Sequence, residues 1–591
     1  MVDQINGSVD IVVQLFDNYD NGSDDDDELN NDNNISICSF DMKNNTLALQ
    51  QKKEIAIVRI PDYRLNARSL YSIHKNDIQL IRQLFKEQNR LLLKTYQSNA
   101  MYSCTMDEFE QKTSAFIEQT NAYSLIQEFS KTNRHCVRKY LDNLVDTVNT
   151  TLDNLLQCQS ITSMQYEEMK VLRSKVRLDY LFFLSDTRKI EVSVQPIMIS
   201  CASPFINISR LLNRLLKPIY DQIAFNTTFF KGSDAVQALH TYENNGYLRS
   251  TTMFVTLHMN HILTIFPHHQ SIEILERFLS DNVSSKEIQG ISISTMIQLV
   301  RLILDNQWFI YRNNKIYRQI LGGGSGSPFM SLLVNIILLD WQKEFVLHLQ
   351  QEKEVYGRCF NDIFFTWNKS KEELDHFIQK LNSRNASIQV QFTIGTQIDY
   401  LDTSIRFFYD EINNISELET QVNHESNAEP YALPYIYNHP SHMYNKLIRA
   451  ALIRATLCCS SIYEFQQERQ YIELSFKTNH FPDNFINEHV TVFFLEFNMK
   501  VFDYMMYDEE TYQELRKNIL EYDQKCIQNK LKQQQQAQNY NLQYVSLSTK
   551  NKLFRHLKQY SQRQRTRSHD SSHSKFYMDV VGRPKYPSNT K

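Results

Sequence analysis

The stretch Leu321–Leu333 reads LGGGSGSPFMSLL and holds four of the chain's 12 glycines, at positions 322, 323, 324 and 326. Glycine reaches positive φ and lets a ligand or another backbone approach closely. Pro328 suits the first turn of a helix, where its missing N–H is not needed, and the apolar run Phe329–Leu339 is long enough to continue one. The stretch predicts a glycine turn feeding a buried helix. Two readings of the turn stand side by side: a tight strand-to-helix connection, or a loop whose backbone lies against a nucleotide or a template strand.

Working outward, the next strong signal is Tyr356–Trp367, YGRCFNDIFFTW. Two apolar strand halves flank the turn-forming pair Asn361-Asp362, the pattern of a tight hairpin. An amphipathic helix follows at Lys371–Leu381, then strands at Ile388–Ile394 and Tyr400–Phe408 joined through Gly395. Beyond Pro434 the chain is helical at Met443–Leu457, Ile462–Phe476 and Phe485–Tyr507, before a Gln-rich run at Lys530–Gln538. Upstream of the glycines, Thr252–Leu257 predicts a strand running into His258, with helices at Ser271–Leu279 and Ile291–Leu304. Still earlier come strands at Leu181–Leu184 and Val192–Ser200, and a helix Ile208–Tyr220 ended by Pro218. Arg210, Arg214 and Lys217 share one face of that helix, which suits either solvent or phosphate. From about 65 to 175 the period is helical. Ile78, Ile81, Phe85 and Leu92 form one stripe, and Val137, Leu141, Leu144, Val145, Val148, Leu152 and Leu155 form a second. The second stripe suits an antiparallel helical pair or a coiled-coil hairpin.

Composition bounds the class. The 591 residues are 42% hydrophobic, enough for a globular core and too long for a single one. Nine cysteines show no C-x-x-C and no metal-like pairing, which fits a reducing, intracellular setting, nuclear or cytoplasmic. The N-terminus lacks a charged region followed by an apolar core, so secretion is not expected, and no apolar run is long enough for a membrane span. The net charge of −4 conceals an asymmetry: residues 1–50 carry −10 and residues 552–591 carry +8. The acidic head and the Gln-rich and basic tail (526–591) are expected to be disordered.

The order of these blocks resembles the palm of a reverse transcriptase, and the local sequences closely resemble those of Penelope-like retroelement reverse transcriptases over about 175–500. Gln195-Pro196-Ile197 is similar to the family's Arg-Pro-Ile/Val. Phe254–Pro267 is similar to its first catalytic block, and Gly326-Ser327-Pro328 with Asn335 to its template-contacting loop and helix. Tyr356–Phe364 is similar to its Tyr-x-Arg-Tyr-x-Asp-Asp block, and Tyr400-Leu401-Asp402 to its Phe-Leu-Asp strand. His439-Pro440 and Arg469 also fall where the family has such residues. The resemblance implies an α+β fold: right-hand polymerase fingers and palm at 176–410, a helical thumb-like region at 425–525, and a helical N-terminal extension at 65–175. It implies an RNA-directed DNA polymerase that binds an RNA template and a DNA primer. The nucleotide- and template-binding positions would be Gln195, Gly326, Ser327, Pro328 and Asn335.

In that family two Mg²⁺ ions are held by the Asp ending the first block and the first Asp of the hairpin pair. One metal activates the primer hydroxyl and the other neutralises the phosphates. Here those two positions are His258 and Asn361, and only Asp362 survives as a metal-binding carboxylate. Mg²⁺ takes hard oxygen ligands, which an imidazole is not and a neutral amide supplies weakly. Gln195 likewise lacks the charge and fork of the family's Arg. Polymerase activity is therefore expected to be impaired. The alternatives are an active polymerase with unusual metal ligation, which needs a further carboxylate within about 5 Å of Asp362, and a binder of RNA or RNA–DNA hybrid without chemistry. His258, His261, His268 and His269 lack a Cys or carboxylate at ligand spacing and read as ordinary histidines. No GIY-YIG nuclease block follows residue 500.

Overall fold

The structure is a computed structural model that describes residues 79–96, 101–129, 134–187, 191–312, 315–384, 388–410, 415–424, 441–499 and 508–542. The acidic head, His439-Pro440 and the basic tail lie outside the described residues. Residues up to Ile527 belong to one compact unit and those from Gln528 onward to a second.

Residues 79–87 are helical and lead into a hairpin of β1 (Arg90–Lys94) and β2 (Met101–Thr105). α1 (Met106–Thr120) begins where the Thr105 hydroxyl accepts the Glu108 N–H at 3.2 Å. β3 (Tyr123–Glu128), α2 (Arg134–Gln157) and α3 (Ser163–Met169) follow, the last opened by a capping box of Thr162 and Gln165. The extension is thus not wholly helical. Leu92 lies on β1, because the run Leu91–Leu93 suits a short strand as well as a helical stripe. The second stripe does form α2, and Val145, Val148, Leu152 and Leu155 are buried in the main core. Its helical neighbour is the short α3 rather than a second long helix.

β4 (Asp179–Asp186) and β5 (Ser193–Ile199) pair antiparallel as expected. α4 (Ile206–Ala224) then runs through Pro218 instead of ending there. Leu211, Leu212, Leu215 and Leu216 before the proline and Tyr220 and Ala224 after it are all buried, and that apolar seam outweighs the lost hydrogen bond. α5 (Gly232–Asn244), β6 (Met253–Met259) and α6 (His268–Asn282) come next. A small hairpin of β7 (Glu287–Ile288) and β8 (Ile291–Ser292) precedes α7 (Ile293–Asp305), which is capped by the Ser292 hydroxyl. β9 (Trp308–Tyr311) and β10 (Lys315–Gln319), unforeseen in the sequence, complete a five-stranded sheet ordered β3-β10-β9-β4-β5. The N-terminal extension therefore shares a sheet with the following region.

α8 (Pro328–Gln351) carries Pro328 in its first turn and is apolar nearly all round, as a helix buried inside the fold must be. β11 (Tyr356–Cys359), β12 (Asp362–Trp367), α9 (Lys371–Arg384) and β13 (Val390–Gly395) follow. The central sheet is antiparallel, in the order β11-β12-β6-β13. Strand alternation sorts its side chains. Val255, Leu257, Ile363, Phe365 and Trp367 face the core built with α4, α6, α7 and α8. Phe254 and Phe364 face the other way, against Ala235 and Leu239 of α5 and a three-stranded sheet of β14 (Gln397–Tyr400), β15 (Thr403–Asp410) and β16 (Ile415–Val422).

The C-terminal helices are α10 (Ser441–Cys458), α11 (Ile462–Thr478), α12 (Asp483–Glu496) and α13 (Glu509–Leu542), with a shared core of Phe465, Phe493, Phe494 and Tyr512. α12 ends sooner than the expected Tyr507. α13 extends through the Gln-rich run to Leu542, correcting the expected disordered tail from residue 526, because Gln, Glu and Lys are good helix formers even without an apolar face. No helix among the described residues is long and apolar enough to cross a membrane.

Candidate functional site

The site lies at the open end of the central sheet, where the β11–β12 hairpin approaches β6. Register places Asp362 directly opposite His258, and Gln391 of β13 opposite His258 on the other side. All three side chains share the face that α5 and the three-stranded sheet leave uncovered at this end. They line a cleft of about 290 Å³ together with Thr256, Asp399 and Tyr400.

Within the cleft His258 Nδ1 and Asp362 Oδ1 are 2.6 Å apart, each side chain about one-third exposed. A carboxylate accepts, so Nδ1 donates and Nε2 is the nitrogen left without a partner. Asn361 does not join them. Its amide donates to the Met259 carbonyl at 3.1 Å, while the Met259 N–H donates to the Asn361 carbonyl at 3.0 Å. The expected turn pair also shifts by one residue: Asp362 already belongs to β12, and the turn is Phe360-Asn361, with Phe360 at φ +53°. His258, Asn361 and Asp362 thus gather at one end of the sheet, but each of the three spends a polar atom on a protein partner.

That geometry does not suit Mg²⁺. Imidazole holds one of the two Asp362 oxygens and brings no hard oxygen ligand of its own, and the Asn361 amide N–H is turned to the backbone. The nearby carboxylates are also engaged: Ser404 donates to Asp399, and Asp402 Oδ1 accepts the Gly232 N–H at 2.8 Å, tying down the start of α5. Among the described residues no group of three His, Cys, Asp or Glu side chains could hold a metal ion. Tyr400 donates to the Asp362 carbonyl at 3.3 Å, and burial holds its phenol far above the usual range. Burial, reinforced by the Asp362 charge, also raises the Cys359 thiol.

The hairpin is held from behind by a residue that the sequence gives no reason to single out for this role. Arg358 is 2% exposed and has no carboxylate partner among the described residues. Its guanidinium donates to Gln342 Oε1 (2.6 Å), Asn335 Oδ1 (2.8 Å), the Phe360 carbonyl (2.7 Å) and the Tyr220 hydroxyl (3.1 Å). Asn335 is therefore a structural acceptor inside the fold. Arg358 could have been found only by asking what supports a left-handed Phe360.

The glycine turn has a local explanation. Gly322 sits at φ +67°, its N–H donates to the Phe266 carbonyl at 2.7 Å, and a Cβ there would lie 2.0 Å from the Leu263 carbonyl oxygen. Gly323 packs on Met330 and Gly324 on Met198. These three glycines are buried, so the tight-connection reading accounts for them. Gly326 and Pro328 are exposed, but Gly326 also lies against the Met198 carbonyl of β5. Ser327 Oγ bonds Ser209 Oγ at 2.8 Å. Gln195 donates to Asp186 Oδ2 at 3.2 Å, and that carboxylate is fully buried. The position expected to meet phosphates is thus backed by an acid. Arg214 pairs with Glu168 and Lys217 with Asp221, so two of the three cations on α4 are spent on protein carboxylates.

With this geometry in hand, comparisons with known proteins can be weighed. The chain is similar to polymerases. It matches the structure of telomerase from Candida albicans in complex with a TWJ fragment of telomeric RNA, at 10% identity over 77% of this chain and 75% of that one, with a TM-score of 0.46. Apo telomerase from Candida tropicalis matches at 8% identity over 81% and 83%, with a TM-score of 0.38. The RNA-dependent RNA polymerase of a human picobirnavirus matches at 10% over 75% and 86%, again at 0.38. At identities and scores this low the likeness carries no weight for activity or partners. The animal helix-turn-helix domain family matches residues 431–491, which include α10, α11 and the first part of α12. No curated protein matches the chain.

Proposed function

We propose that this chain is a reverse-transcriptase-fold protein of Penelope-like kind that holds a nucleic-acid template and primer but does not extend the primer by two-metal nucleotide transfer. The central sheet is its palm, the five-stranded sheet its fingers, and α10–α13 its thumb. One observation carries the reading: the 2.6 Å bond from His258 to Asp362, at the end of the sheet where the resembling family holds its metals. A site committed to a His–Asp bond, with Asn361 turned to the backbone, has lost the two carboxylates that would neutralise a triphosphate. Gln195 on Asp186 supports the same conclusion at the fingers, since a neutral amide stands where the resembling family has an Arg.

Nucleic acid remains the partner of choice. The blocks that resemble template- and primer-contacting segments are intact, and residues 431–491 match a helix-turn-helix family, a motif that in DNA-binding proteins lays its second helix in the major groove. Primer extension on an RNA template with Mg²⁺ or Mn²⁺ tests the proposal. The expected result is no extension by the wild-type chain and measurable extension by the His258→Asp/Asn361→Asp variant. Robust extension by the wild type overturns it.

A further inference from the structure

Beside the glycine turn, with a lining that shares no residue with the His258 cleft, lies a small cavity of about 20 Å³. Two of the groups on its wall are unsatisfied. Asp179 Oδ1 and Trp308 Nε1 are both sealed from solvent, and neither has a hydrogen-bond partner among the described residues. Each residue as a whole is only half-buried, so it is the polar tip that points inward. The other carboxylate oxygen of Asp179 accepts the Ser200 hydroxyl at 2.8 Å, and the Trp308 ring packs edge-on against Tyr140 of α2 at 5.3 Å, so both side chains are held in place. Asp179 opens β4 and Trp308 opens β9, and both residues line this cavity.

A buried donor and a buried acceptor left apart are each destabilising. A cavity of about 10–15 Å³ by this measure suffices for one water, provided it meets at least two polar partners. We infer that this cavity is the site of one structural water that accepts from Trp308 Nε1 and donates to Asp179 Oδ1. Ser203, Ser209 and Ser327 also line the cavity. Asp179 and Trp308 belong to the five-stranded sheet, Ser209 to α4, and Ser327 to the end of the glycine turn. The water therefore joins the sheet to the turn and to the start of α8.

Two measurements decide this. A high-resolution crystal structure of the whole chain should show density within about 3.2 Å of both atoms. In a double-mutant cycle of Asp179→Ala and Trp308→Phe, the loss in Tm for the pair should be clearly smaller than the sum of the single losses, because either variant already breaks the bridge. A direct Trp308–Asp179 bond, density that touches only one of the two atoms, or Tm losses that add overturns the inference.

Discussion

Asp179 is the one charged side chain on the wall of that cavity, and burial raises its carboxyl from the ordinary value of 3.8 to about 7, with the Ser200 and Ser203 hydroxyls pulling the other way. A folded-state value above the unfolded one means that the native state holds the proton more tightly. The stability contributed by that proton is complete below about pH 4 and is lost as pH rises through 7. Asp179→Asn removes the charge that must be buried. It is expected to raise stability above pH 7 by about 2 kcal/mol and to flatten the decline between pH 4 and 7; denaturant unfolding at several pH values reads both effects. Arg358 makes the opposite prediction. Arg358→Met strands the acceptors of Gln342, Asn335 and Phe360 in the interior and is expected to cost about 3 kcal/mol. Arg358→Lys is expected to recover little of that, since an ammonium cannot span acceptors laid out for a planar fork. Thermal unfolding of the two variants checks this, and a full rescue by lysine would show that charge rather than geometry matters.

At the level of elements, what could be read in advance followed local periodicity, and what could not depended on distant partners. Alternation made β6 and the β11–β12 hairpin plain, and three-four spacing did the same for α2, α4 and α9. β9 and β10 were hidden because strands of four and five residues leave too few alternations to stand out from a loop. Pro218 misled because its cost is local while the burial that overrides it is tertiary. The residues of the site were legible as positions, yet the 2.6 Å bond between His258 and Asp362 was not, since it depends on the register of β6 against β12. The glycine turn is the element where the two scales meet. Gly322→Ala places a side chain at φ +67° and 2.0 Å from a backbone oxygen that cannot yield, whereas at Gly323 the added Cβ meets the mobile end of Met330. Gly322→Ala is expected to cost at least about 2 kcal/mol, and Gly323→Ala clearly less. Equal Tm losses for the two would contradict the packing described for the turn.

For the whole molecule, the proposed function requires a near-neutral body to find the charge to hold a polyanion. Many of its visible cations are spent on protein carboxylates: Arg214 on Glu168, Arg277 on Asp340, Lys231 on Asp523, Arg449 on Glu496 and Arg469 on Glu473. Residues 552–591, by contrast, carry +8 with only two acids among them. Each phosphate neutralised contributes about −0.9 to the slope of log K against log salt on a DNA duplex. If the basic segment supplies most of the contacts, a chain ending at residue 551 should bind duplex or hybrid more weakly, with a slope shallower by several units. On the proposed function the Nε2 of His258 is the atom left to make a local contact, so His258→Ala should weaken binding of a primer–template without changing the slope. Fluorescence anisotropy across a salt series separates the two effects. A truncated chain that keeps the full slope would place the phosphate contacts in the folded body, on cations outside these ion pairs. That would make the palm and thumb, rather than the tail, the principal holder of the nucleic acid.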